Sequence, residues 1–206
     1  KDCIEDIRVL FPAARQSLVD SATNVRVREV NVITVYIDLQ PIPFNKGFYS
    51  VDMTFFFDVC LDLFGGTASC PVPINGVAIF NKKVVLYGSE GNVKMFTSES
   101  CRDEADLQGN KVLPKATVQV AQPVALSAKL CEHCRCGCEP YCRIPESICQ
   151  RYGGDFDSCP QKNTVYVTIG LFIIVQMVRN VQMLIPAYDF CVPEKECVAS
   201  SDNPCE

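Results

Sequence analysis

A chain of 206 residues that is 48% hydrophobic can pack its own core, so its fourteen cysteines are not there to rescue a fold too small to hold together. With 19 basic residues scattered among 24 acidic ones and a net charge of −5, the composition argues against nucleic acid as a partner. One histidine, His133, and no tryptophan leave imidazole-based catalysis little material and argue against an aromatic sugar-binding platform.

Residues 1–24 read as an N-terminal arm or short helix: Ile4, Ile7, Leu10 and Phe11 recur at helical spacing, and Pro12 limits how far such a helix runs. Neither an initiator methionine nor a charged-then-apolar leader stands at Lys1, so the expectation is that whatever preceded it has been removed. From Val25 to Leu39 the β-branched run VRVREVNVITVYIDL predicts a strand, and its apolar phase slips near Glu29 and Val30, the mark of a bulge. The segment PIPFNKG, Pro41 to Gly47, then reverses the chain into a hairpin.

The next strand carries the clearest signal in the sequence. Every odd position from Val51 to Leu63 is apolar, while the even positions hold Asp52, Thr54, Phe56, Asp58, Cys60 and Asp62, which predicts one buried and one solvated face. Further strands are expected at Val72 to Phe80, Val84 to Tyr87, Val93 to Thr97 and Thr117 to Leu130, with Ser98 to Gly109 an exposed acidic loop. A second 13-residue alternating run from Val165 to Met177 has Phe172 and Ile174 on its other face, so it is expected to be covered on both sides, by a second sheet or a neighbouring subunit. Thirteen residues at roughly 3.3 Å each give strands about 40 Å long. The longest apolar stretch, Val165 to Val178, is too short and interrupted to span a membrane as a helix.

These elements predict an all-β protein, a long-stranded antiparallel β-sandwich of jelly-roll type with a cysteine-rich loop inserted. Core strands occupy residues 25–130 and 163–190, the insertion 131–162 and a cysteine-bearing tail 191–206. Seven cysteines fall in the insertion: Cys131, Cys134, Cys136, Cys138, Cys142, Cys149 and Cys159. Zinc or copper binding there would draw on Cys131, His133, Cys134 and Cys136, but the second C-x-x-C knuckle of a structural zinc site is missing. Internal disulfides are the better reading, because a segment rich in glycine and proline with little apolar content needs covalent bridges to hold a shape. Closely spaced cysteines cannot all pair with one another without strain. The terminal thiols Cys3, Cys191, Cys197 and Cys205 either pin the tails to the domain or reach another subunit. Redox catalysis by Cys131 and Cys134 lacks the helix start in a βαβ setting that stabilises a thiolate. Paired-carboxylate hydrolysis has candidates in Asp52, Asp58 and Asp62, which a solvated strand face explains more simply.

The stretches VRVREVNVITVYIDLQPIPFNKGFYSVDMTFFFDV and VAIFNKKVVLYGSEGNVKMF, followed by the cysteine-dense insert and cysteine-bearing tail, resemble the cysteine-rich self-assembling coat and exosporium proteins on the spores of clostridia and related Firmicutes. The resemblance covers about the first 130 residues by texture, without a diagnostic short motif. It implies a non-enzymatic building block, without cofactor or membrane span, that forms a disulfide-hardened lattice or fibre at a spore or cell surface, oxidising when mature. Its implied partners are copies of itself and other coat proteins. On that reading Cys3, Cys191, Cys197 and Cys205 link subunits, and the insertion cysteines pair mainly within the chain. The alternatives are a cysteine-rich zinc or copper protein and a secreted surface-binding β-sandwich.

Overall fold

Antiparallel pairing along three long strands sets the architecture. The computed structural model describes residues 6–65, 70–89, 113–132, 144–154, 156, 162–180 and 184–188. Its elements are β1 (Ile7–Leu10), α1 (Ala13–Asp20), β2 (Asn24–Pro41), β3 (Phe48–Phe64), β4 (Val72–Tyr87), β5 (Lys115–Val120), β6 (Val124–Glu132), α2 (Glu146–Tyr152), β7 (Asn163–Gly170) and β8 (Ile173–Val178). The protein is mostly β, as composition and alternation predict. Six strands form one sheet in the order β2-β3-β4-β1-β7-β6, and β5 and β8 form a second sheet. No helix among the described residues is long and apolar enough to cross a membrane.

β3 is the spine. Its odd positions Val51, Met53, Phe55, Phe57, Val59, Leu61 and Leu63 all lie in the core, as the period-two pattern requires. β2 joins it through the hairpin, and the expected slip of register is present: Arg28 is an extra residue between the Val27–Leu61 and Glu29–Cys60 pairs. A second bulge places Ile33 between the Val32–Phe57 and Thr34–Phe56 pairs. The turn is closed by Asn45 N–H donating to Ile42 O (3.3 Å) and Phe48 N–H to Asn45 O (3.2 Å), with Gly47 at φ +78°.

β4 corrects the expectation of two strands. It runs unbroken from Val72 to Tyr87 because β3 pairs with it throughout, from Leu63–Val72 to Phe48–Tyr87, carrying the polar Asn81-Lys82-Lys83 along. The expected strand at Val93 to Thr97 and the acidic loop at Ser98 to Gly109 lie outside the described residues.

The N-terminal reading is corrected as well. Ile7 and Leu10 belong to β1, which wedges between β4 (Val9–Ala78, Leu10–Val77) and β7 (Ile7–Val167, Val9–Val165). The helix starts only after Pro12, where a fixed φ and a missing N–H suit a helix entrance. Tertiary pairing on both edges of a four-residue strand overrides the local helical spacing. Gly76 permits the wedge: a Cβ there would lie 2.5 Å from Val9 Cγ1 and 2.8 Å from Leu10 O. At the far end of α1, buried Asn163 donates through Nδ2 to the carbonyls of Val19 (3.2 Å), Asp20 (3.2 Å) and Ala22 (3.3 Å), satisfying groups the helix leaves open.

Each remaining expected strand is interrupted. Thr117 to Leu130 divides into β5 and β6 at Ala121–Pro123, where proline has no N–H to donate. Val165 to Met177 divides into β7 and β8 at Leu171–Phe172. β6 pairs with β7, β5 pairs with β8, and Ala121 N–H donates to Phe172 O (3.0 Å) across the break. The four strands therefore make one long kinked ribbon. Its inner residues Val118, Val175 and Met177 pack on the same core as β3. Its outer face is not covered as expected among the described residues, since Phe172 and Ile174 are exposed. The two ends of the six-strand order, β2 and β6, approach one another, and Gln122 Nε2 donates to Asn31 Oδ1 (2.8 Å) across the gap.

Candidate functional site

Of the cysteines singled out in the sequence, Cys131 and Cys149 are the two that fall within the described residues. Cys3, Cys134, Cys136, Cys138, Cys142, Cys159, Cys191, Cys197 and Cys205 lie outside them, as does His133. Cys131 is a half-buried free thiol on β6, opposite Thr164. Cys149 sits half-buried on α2 with Sγ 3.9 Å from Ile144 O. No cluster of three or more metal-ligating side chains occurs among the described residues. A cavity of about 10 Å³ beside β1 and β7, lined by Arg8, Gln16, Asn163 and Thr164 among others, has room for a single water.

Two further thiols differ sharply in environment. Cys60 lies on the outer face of β3 opposite Glu29, and its thiol is pushed above the usual range, first by burial and then by the negative charges of Asp58 and Glu29. Cys70 is an exposed free thiol just ahead of β4. Thiolate fraction and access govern alkylation, so a maleimide is expected to label Cys70 roughly an order of magnitude faster than Cys60 in the folded chain. Peptide mapping over time checks this, and equal rates before denaturation would contradict it.

The outer face of the long strands carries a second apolar cluster, whose trace in the sequence is Phe56 among the polar even positions of β3. Phe56 and Val77 are fully buried there beneath Ile148 of α2, with Ile33, Ile79, Ile144, Tyr152 and Phe156 packed around them. α2 is built by Pro145 at its entrance, Glu146 in its first turn, Arg151 in its last and Gly153 at φ +77° as its stop. Within the insertion, α2 is therefore held to the sheet by apolar packing. Tyr152 Oη donates to Asp58 Oδ1 at 2.6 Å, and Arg151 Nη2 lies 3.6 Å from Asp58 Oδ2. Burial, then the hydrogen bond to Asp58, raises the Tyr152 phenol well above its ordinary value.

The other carboxylates of that face are also engaged. Asp52 pairs with Lys83 (3.2 Å) and Asp62 with Arg28 (2.6 Å). Asp58 and Asp62, four residues apart on one strand, are separated by about 13 Å, beyond the roughly 5–9.5 Å that paired-carboxylate hydrolysis uses.

Two exposed apolar features stand apart from both cores. Phe44, at the tip of the β2–β3 hairpin, is fully exposed at φ +68°, a left-handed conformation costing an L-residue roughly 1–2 kcal/mol. Behind it Phe48 and Tyr87 meet edge to face, with ring centroids 5.2 Å apart. On the ribbon kink, Val124, Leu126, Phe172 and Ile174 are exposed on the outer surface. An apolar residue in a turn, and Phe172 with Ile174 on the second face of their run, were the sequence signals for these two places. Searches of protein-family models, curated proteins and solved structures returned no match to the chain.

Proposed function

We propose that this protein is a structural unit that assembles with copies of itself into a lattice or fibre at a spore or cell surface, made permanent by disulfides between subunits. The long strands then act as the stiff body of a sandwich, and the terminal cysteines Cys3, Cys191, Cys197 and Cys205 join neighbours. The observation that carries this reading is the segregation of sulfur. The described strands hold just Cys60 and Cys131, and Cys60 is made a poor nucleophile by its surroundings, while most thiols lie in the insertion and near the ends of the chain. A protein using cysteine for core packing would distribute it the other way. The likeness to cysteine-rich spore-surface proteins points in the same direction.

Electrophoresis of oxidised material with and without reductant tests the reading. A ladder of multiples of 22.8 kDa that collapses to one band on reduction is expected, with cross-linked peptides containing Cys3 or the last three cysteines. A single 22.8 kDa band under both conditions overturns it.

A further inference from the structure

We infer that Asn75 is a self-modification site that the fold keeps inert: once β1 leaves β4, the Asn75–Gly76 link rearranges with loss of ammonia, and the isoaspartyl chain cannot rebuild that junction. Asn75–Gly76 is the one Asn-Gly pair in the sequence. Without a side chain, Gly76 leaves its backbone nitrogen free to approach the asparagine carboxamide, so this dipeptide cyclises more readily than other asparaginyl links. The fold cannot exchange the glycine, because a Cβ there would lie 2.5 Å from Val9 Cγ1 and 2.8 Å from both Leu10 O and Phe11 Cε1. A labile link is thus built into the contact that joins β1 to β4.

The chemistry needs water and nothing else. The Gly76 nitrogen, giving up its proton to solvent hydroxide, attacks Asn75 Cγ; a C–N bond forms, the bond from Cγ to Nδ2 breaks, and ammonia leaves with a proton taken from water. Water then opens the five-membered imide at either carbonyl. One opening yields aspartate. The other yields isoaspartate, in which the main chain runs through the side-chain carbon and is one carbon longer.

β4 denies the attack its geometry. Asn-Gly between apolar runs makes a two-residue turn by local preference, but here β3 holds both residues extended, Asn75 opposite Cys60 and Gly76 opposite Val59. In a strand the side chain stands away from the sheet while the next N–H lies within it. The Asn75 side chain also hydrogen-bonds to Cys60, and Ile74, Gly76, Val77 and Ala78 around it are buried. Rotation into the attacking conformation therefore requires β1 to lift from Gly76 and β4 to loosen from β3. Both products then oppose closure. Aspartate adds a negative charge beside Cys60 and diagonal to Asp58 and Asp62, while the longer main chain of isoaspartate cannot keep the Leu61–Ile74 and Val59–Gly76 pairs together. A copy that opens here is retired, and a folded copy keeps its asparagine.

Parallel incubation of folded chain and of chain unfolded in guanidinium chloride, both reduced and at mildly alkaline pH, tests this by mapping the peptide that spans Asn75. The unfolded chain is expected to convert, with isoaspartate the larger product, and the folded chain to convert about a hundredfold or more slowly, because core strands open rarely. Val9→Ala, which loosens β1, should raise the folded rate by about tenfold. Dilution from denaturant after increasing times should show the refolding yield, read by circular dichroism, falling in step with isoaspartate at this position. Asn75→Ser cannot form the imide and Asn75→Gln closes a larger ring far more slowly, so both should keep their yield over the same period; Asn75 is half-buried, and either change fits a strand. Equal rates in folded and unfolded chains, no conversion of the unfolded chain, or full refolding of isoaspartyl chains overturns the inference. So does a folded rate unmoved by Val9→Ala, or loss of yield in the Asn75 variants at the wild-type pace.

Discussion

Replacing Gly76 by valine is expected to cost about 3 kcal/mol or more and to separate the two halves of the main sheet. Any Cβ at this position meets Leu10 O at 2.8 Å and Phe11 Cε1 at 2.8 Å. The first is backbone and cannot rotate away, so β1 must move. Among the described strands, β1 alone joins the β2–β3–β4 side to the β7–β6 side by backbone strand pairing. With a urea m-value of ~2 kcal/mol/M, the unfolding midpoint should fall by ~1.5 M. Loss of coupling between the halves should also make the transition less cooperative. Gly170→Ala is the matched control: its Cβ meets nothing closer than 3.6 Å, and a change within about 0.5 kcal/mol is expected. A Gly76→Val midpoint equal to wild type would show that β1 does not approach β4 as described.

What the sequence made legible was whatever depends on alternation. Val51 to Leu63 named its own buried face because period two is local, and the slip at Glu29 and Val30 marked a bulge because a bulge is a local change of phase. β1 was not legible. Four residues at spacing shared by a helix carry no strand signature, and the two partners that make them a strand lie about 70 and 155 residues further along the chain. The kink of the ribbon was partly written in Pro123, but the break opposite it follows from pairing with that segment. On the site, Phe56 stood out as an apolar residue among Asp52, Thr54, Asp58 and Cys60, and it is where α2 docks. The caps of α2 are also present in the sequence, at Pro145 and Gly153, but seven residues between them are too few for a helical period to show.

Removing the Tyr152 side chain is expected to undock α2 while leaving the sheets intact. A seven-residue helix has no stability of its own, so its order depends on Ile148 and Tyr152 packing on the outer face of β3. Tyr152→Ala removes the ring that meets Phe156 edge to face at 5.6 Å and strips buried Asp58 of its 2.6 Å donor, a loss of about 2–3 kcal/mol confined to that contact. Amide hydrogen exchange should show protection lost in α2 and kept in β3 and β4; parallel loss in all three would mean the helix is integral to the sheet. The phenol adds a pH signature. Its folded value is raised above the ordinary 10.0, so its contribution is complete below that pH and declines above it, as the unfolded phenol ionises first. Tyr152→Phe should weaken docking at neutral pH and abolish the alkaline decline. Because α2 tethers the C-terminal end of the cysteine-dense segment, undocking also bears on assembly. If that segment's thiols pair mainly within the chain, freeing it should shift cross-links from within chains to between them, seen as a heavier ladder from oxidised Tyr152→Ala than from wild type.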